Sequence, residues 1–217
     1  MPIYRQELAN AENSRGSLLA AARDWTSARE AWQSARDQFA RLVQDFPDTL
    51  VYRAGLGMAL GNLGWLLLKQ DQPAEARRYL ETGIDHLRAA LRPNPNLPDY
   101  RDALRRGYWN LADTLLRLQD PAGAARAALE LPALYADHGQ GCYVAATFLA
   151  RCAAAAEAAG PAADAERYAG EALRLLREAR QEGYGTAKRV KASAAFQALR
   201  RHAGFRQFLE EGSKPPG

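Results

Sequence analysis

Cysteine is scarce in this chain: Cys142 and Cys152 are the only two in 217 residues. They lie ten apart in one apparently helical segment, which separates them by about 15 Å along the axis, at about 1.5 Å per residue, and turns them to different faces. They do not pair with each other, so no disulfide framework is expected. A signal-peptide core and an apolar run approaching about 18 residues are also missing, and the expectation is a cytoplasmic protein in a reducing compartment. Lysine occurs only at 69, 188, 191 and 214, so arginine carries nearly all the positive charge. No glycine-rich phosphate cradle is present, because "GLGMALG" at 55–61 falls inside a helical pattern. His86, His138 and His202 each stand alone, and neither a metal nor a cofactor is expected. His138 and Cys142 invite a Cys/His nucleophile, but Gly139 and Gly141 point to a loop and no orienting Asn or Asp is evident. The chain is not expected to be an enzyme.

What is present is hydrophobic mass and a repeat. Apolar residues make up 47% of the chain, ample for a core without staples. Tyr-Arg recurs at Tyr4-Arg5, Tyr52-Arg53 and Tyr100-Arg101, 48 residues apart each time, and a leucine follows four after each tyrosine, at Leu8, Leu56 and Leu104. The same shift relates Leu19, Leu67 and Leu115, then Ala28, Ala76 and Ala124, and also Pro47 with Pro95. Repetition at a fixed period sets the fold before any other feature is read. Within a unit the apolar spacing is helical: Leu56, Leu60, Leu63 and Leu67 form one stripe, and Ala76, Leu80, Ile84 and Leu87 a second. Each unit is therefore two helices, broken at "QDQPAEA" (70–76) and "QDPAGAA" (119–125), where proline suits a first helical turn. "RPNPNLPDYR" (92–101) is the joint between two units, its prolines stopping one helix and Tyr100-Arg101 restarting the next, with the tyrosine expected to pack on the preceding unit.

The segment "LGNLGWLLLKQDQPAEARRYLETG" (60–83) resembles a tetratricopeptide repeat, with Leu60, Leu63, Gly64, Leu67, Ala76, Leu80 and Gly83 at the positions of that pattern. Gly16, Leu19, Ala28, Trp32 and Ala35 match in the first unit, and Tyr108, Leu111, Ala112, Leu115, Ala124, Ala128 and Leu131 in the third. A weaker fourth copy runs through Leu149, Cys152, Ala153, Ala156, Ala165, Ala169 and Ala172, after a 41-residue step from Ala124 to Ala165. The resemblance implies an all-α fold, a right-handed superhelical stack of antiparallel helix pairs. A period of 48 exceeds the usual ~34, so each helix should be about two turns longer than is common. The expected organisation is a repeat array over 1–185, with units near 4–46, 52–92, 100–135 and 140–182. Pro132 shortens the second helix of unit three, and "YADHGQG" (135–141) is a turn. Residues 186–211 should cap the stack through Phe196, Leu199, Phe205, Phe208 and Leu209, bending at Gly204, and 212–217 form a disordered tail. "RLVQDFPDTLVYR", "NLADTLLRLQDPAGAARAALELPALY" and "FQALRRHAGFRQFL" together resemble the repeat region attached to bacterial eukaryotic-like serine/threonine kinases. The kinase loop motifs themselves are absent from the sequence.

A tetratricopeptide stack implies a concave face lined by the first helix of each pair. On that face lie Asn62, Trp65 and Lys69 in unit two, Arg106, Trp109, Asn110, Asp113 and Arg117 in unit three, and Arg151 in unit four. Asparagine can both donate to and accept from a peptide backbone, and arginine binds carboxylate bidentately. The expected partner is a protein or peptide with an acidic residue or a terminal carboxylate. Trp65 and Trp109 read first as packing between repeats and second as aromatic contacts in the groove. The alternative is nucleic-acid binding. The net charge of +4 and pI of 9.2 permit it, and Arg174, Arg177, Arg180, Lys188, Arg189 and Lys191 lead a basic stretch that ends at Arg206.

Overall fold

The computed structural model describes residues 1–160 and 162–212, the side chain of Ala162 excepted. The expected tail at 213–217 lies outside the described residues. Those described form ten α-helices and three 3₁₀ turns, and no strand is found among them. The fold is all-α, with consecutive helices packed in neighbouring pairs.

Two compact units divide the chain, Met1–Asn110 and Leu111–Gly217. The first holds α1 (Pro2–Ala21), α2 (Trp25–Asp45), α3 (Leu50–Lys69), α4 (Pro73–Leu91) and the greater part of α5 (Pro98–Arg117). Its helices run 19 to 21 residues, the length that a 48-residue period requires. The second unit takes the last turns of α5, then α6 (Pro121–Leu129), α7 (His138–Ala159), α8 (Ala162–Gln181), α9 (Ala187–Ala192) and α10 (Ala203–Glu211). Helix α6 has only nine residues, and Pro132 starts a 3₁₀ turn directly after it.

The 48-residue register of the sequence is also the period of the backbone. Helices α1, α3 and α5 begin at residues 2, 50 and 98 and end at 21, 69 and 117. Each is followed by a left-handed residue at the same position, Arg23, Asp71 and Gln119, with φ of 63°, 57° and 58°. In each turn the next amide donates back across six residues: Asp24 to Leu19, Gln72 to Leu67 and Asp120 to Leu115, at 2.9, 2.9 and 2.8 Å. This is a Schellman closure, and it satisfies carbonyls that the helix end would otherwise leave bare. Asp24 and Asp120 then cap the following helices by accepting from the Ser27 and Gly123 amides. The fourth copy shares the left-handed residue but not the closure: Gly160, at φ 107° and 41 residues after Gln119, donates its own amide to the Ala156 carbonyl at 3.0 Å.

The Tyr-Arg pair has a structural answer as well. Each tyrosine is the third residue of its helix, and in the second and third copies the arginine reaches back to the joint before it, whereas Arg5 pairs with Asp45 at 3.1 Å. Arg53 Nε donates to the Pro47 carbonyl at 3.1 Å, and Arg101 Nη1 to the Pro95 carbonyl at 3.3 Å. Pro47 and Pro95 differ by the same 48 residues, so the arginine ties its own helix start to the proline-bearing joint. Tyr52 is buried against Phe39, Leu42 and Leu56, as expected of a tyrosine packing on the preceding helix pair. Tyr4 has no helix pair before it among the described residues and lies exposed.

Small residues set the closeness of each pair. A Cβ at Gly64 would lie 2.6 Å from Leu80 Cγ, and one at Gly57 would lie 2.8 Å from the Gly83 carbonyl oxygen. Helices α3 and α4 therefore meet nearly backbone to backbone, with Ala76 fully buried beside them.

Two expectations are corrected in the second unit. Residues 138–141 are the first turn of α7, not part of a loop, because Asp137 accepts from the Gln140 amide and starts the helix. The glycines there serve close packing. A Cβ at Gly141 would lie 2.7 Å from Pro132 Cα, and one at Gly139 2.5 Å from Glu182 Cβ. The second correction concerns the C-terminal segment, which changes direction at Ser193 and His202, both extended, while Gly204 lies inside α10. Phe196, Leu199, Phe205 and Phe208 are buried against α7 and α8, and Leu209 is half-buried. Helix α7 is long and apolar enough, by length and composition, to cross a membrane, but half of its apolar window is buried within the unit.

Candidate functional site

In the first unit, α1, α3 and α5 present one face toward a cavity of about 360 Å³. Its floor is unusually bare, formed by Gly57, Gly61 and Gly107, with Gly61 facing open space. One period away from Gly61 stand Asn13 and Trp109, so the space exists because this copy alone has no side chain at that position. Trp32, Trp65, Ile84 and Leu87 make the apolar walls, and Ser17, Asn62, Arg106 and Asn110 supply polar groups. Such a mix, an apolar cleft with few convergent polar groups, is what a binding site needs.

Each polar group is held in place. The Asn62 side-chain amide donates to Asn13 Oδ1 at 3.0 Å, and the backbone carbonyl of Asn13 accepts from Trp32 Nε1 at 3.1 Å. Asn110 is buried, whereas Arg106 is exposed at the rim and paired with Asp102 one turn earlier on α5. Trp65 fills both roles left open by the sequence. It packs edge-on against Trp32 and tilted against Trp25, with centroids 6.2 and 5.9 Å away, and its remaining surface lines the cavity. The Lys69 ammonium lies 5.6 Å from the Trp65 ring centroid, outside the cavity lining. Trp109 is 42% exposed and does not line the cavity.

The remaining three expected groove residues come together in the second unit as an ion triad. Asp113, buried, accepts from Arg117 Nε at 2.9 Å and from Arg151 at 2.8 Å. Only loss of both arginines would leave the buried carboxylate uncompensated, and Arg151, on α7, ties that helix to the end of α5 through it. Arg151 also lies 5.4 Å from the Phe148 ring centroid.

A second cluster escaped the sequence reading. His138, Cys142 and Glu178 bring one donor atom each within 4.8 Å of one another. Cys142 Sγ is 3.4 Å from His138 Nε2 and 3.6 Å from Glu178 Oε2. Burial and the Glu178 carboxylate push the Cys142 thiol up to about 11, which argues against a nucleophilic thiolate at neutral pH. Cys152, more deeply placed, is pushed up by burial to about 12. The spacing of His138 and Cys142, one helical turn, was visible in the sequence; the α8 residue that completes the group was not.

Three arginines of the basic C-terminal stretch are engaged inside the unit, while Arg177, Lys188, Arg201 and Arg206 are exposed. Arg174 pairs with Glu171 and Glu178, Arg180 donates to the Phe208 carbonyl at 2.6 Å, and Arg189 stacks over Tyr184 at 4.0 Å. Against protein-family models and curated proteins alike, the chain finds no match.

Proposed function

We propose that the chain is a non-catalytic, tetratricopeptide-like interaction module that binds a peptide or protein partner in the cavity of its first unit. In this reading it is of the kind attached to bacterial serine/threonine kinases. The observation that carries the reading is the glycine-floored cleft lined by Trp65, Asn62, Asn110 and Arg106, four residues expected on the binding face. An apolar side chain of the partner occupies the space above Gly61, and the two asparagines contact its backbone. Arg106 recognises an acidic residue. Its pair with Asp102 is an exposed contact one turn apart, of a class worth about 0.3–0.5 kcal/mol, so a partner's carboxylate can displace it at little cost. Arg151 and Arg117 take no part, because Asp113 holds them.

The test fills the cleft. Peptides selected from a random library on the full chain should bind Gly61→Trp at least tenfold more weakly in fluorescence anisotropy. Its melting temperature should be unchanged, since a side chain at 61 starts in open space. Equal affinity for the two proteins removes the cleft from the function. The nucleic-acid alternative rests on the exposed Arg177, Lys188, Arg201 and Arg206, since Arg174, Arg180 and Arg189 are tied to carboxylates, a carbonyl and an aromatic ring.

A further inference from the structure

We propose that His138, Cys142 and Glu178 form a zinc-binding site in the second unit. The two α7 residues are four apart and face the same side of the helix, and Glu178 meets them from α8. The geometry fits the ion. With Zn–S of about 2.3 Å and Zn–N or Zn–O of about 2.0–2.1 Å, a tetrahedral angle puts sulfur about 3.5–3.6 Å from each neighbouring ligand atom. The two separations at Cys142 Sγ are 3.4 and 3.6 Å. All three ligand atoms lie within 4.8 Å of one another.

Chemistry and charge agree with geometry. Thiolate, imidazole and carboxylate are the ligand types of borderline-soft zinc, not of magnesium or calcium. The thiol donates to Glu178 and its sulfur can accept from the Nε2–H tautomer of His138, so the three groups already converge as one hydrogen-bonded chain, and a cation would engage all three in its place. When the Zn–S bond forms, the thiol proton leaves to solvent. A Cys142 thiolate with Glu178, Glu171 and the nearby Glu182 then outweighs the single positive charge of Arg174, so the site is net negative and favours a divalent cation. Arg174 supplies the outer support that such sites use, holding the other oxygen of Glu178 while also pairing with Glu171. Gly139 permits the approach, because a Cβ there would strike Glu182 one turn beyond Glu178. Three protein ligands leave a fourth position for water or for the nearby Glu182 carboxylate.

The experiment titrates the full-length reduced chain with Co²⁺, a spectroscopic stand-in for zinc, and then displaces it with Zn²⁺. One equivalent should produce a thiolate-to-cobalt charge-transfer band and the intense visible bands of tetrahedral coordination, both erased by zinc. Cys142→Ala should abolish the charge-transfer band. Glu178→Gln and His138→Gln, at positions that keep volume and exposure, should weaken binding by at least about tenfold, and Arg174→Gln by about 10–100-fold. Cys152→Ala, with its helical circular dichroism intact, should bind as the wild type does. Absence of the charge-transfer band, its survival in Cys142→Ala, wild-type affinity in Glu178→Gln, or its loss in Cys152→Ala would each overturn the site.

Discussion

Helices α1 and α3 carry the same Tyr-Arg pair and the same leucine four residues after the tyrosine, and the copies meet opposite fates. Tyr52 and Leu56 are 8% and 6% exposed, packed against α2 of the preceding pair, while Tyr4 and Leu8 are 72% and 49% exposed. Sequence identity at these positions therefore encodes an interface, and the interface forms only where another helix pair stands before it. The C-terminal segment shows the other treatment of an edge: α10 and two short 3₁₀ turns lay Phe196, Leu199, Phe205 and Phe208 over α7 and α8. A repeat needs either a neighbour or a cap, since its apolar stripe is not satisfied within its own two helices.

The largest way to sharpen that contrast is to open the closed edge. Ending the chain after Gly185 removes Phe196, Leu199, Phe205 and Phe208, each nearly fully buried. At about 1.5–3 kcal/mol per side chain before the ordering cost of the segment is offset, the loss is on the order of several kcal/mol. The shortened protein should melt markedly lower and scatter light as it aggregates, whereas ending it after Glu211 should leave the melting curve in place. Matching curves for the two truncations would mean that the segment is not a cap.

A smaller effect separates the two copies directly. Leu56→Ala should cost about 2–5 kcal/mol, the range for a buried leucine. Leu8→Ala, in the same register, should stay within about 0.5 kcal/mol. Urea denaturation of both variants decides the matter, and similar losses would show that the open face of α1 is covered in solution.

Much of this was legible beforehand, for a physical reason. The helix pairs, their period and the buried side of each depend on apolar spacing and on turn residues, and both are written locally in the chain. The joint at 92–101 could be placed because prolines act on their own neighbours. The cleft was half legible: Asn62 and Asn110 could be assigned to a face, but its depth arises from a missing side chain at Gly61, which a search for chemical groups passes over. Arg106, Arg117 and Arg151 read alike as carboxylate binders, and only burial of Asp113 beside the last two separates structure from recognition. Gly139 and Gly141 suggest a loop at His138 by their flexibility, but in the fold they serve by their size.

The smallest effect tests the turn that the first three pairs share. Arg23, Asp71 and Gln119 occupy left-handed backbone, which costs an L-residue roughly 1–2 kcal/mol, less for Asp, whose short side chain tolerates the region. Glycine removes that strain and brings back roughly 0.5–1 kcal/mol of chain entropy on unfolding. Arg23→Gly and Gln119→Gly should each stabilise the protein by about 0.5 kcal/mol, or about 1–2 °C in melting temperature for a chain of this size. Asp71→Gly should be nearly neutral. Gln119→Val carries the argument in the other direction, since a β-branched side chain at positive φ is a steric outlier, and it should lower the melting point. If glycine at 23 and 119 destabilised the fold as valine does, the side chains themselves, and not the closure of the turn, would be what these positions contribute.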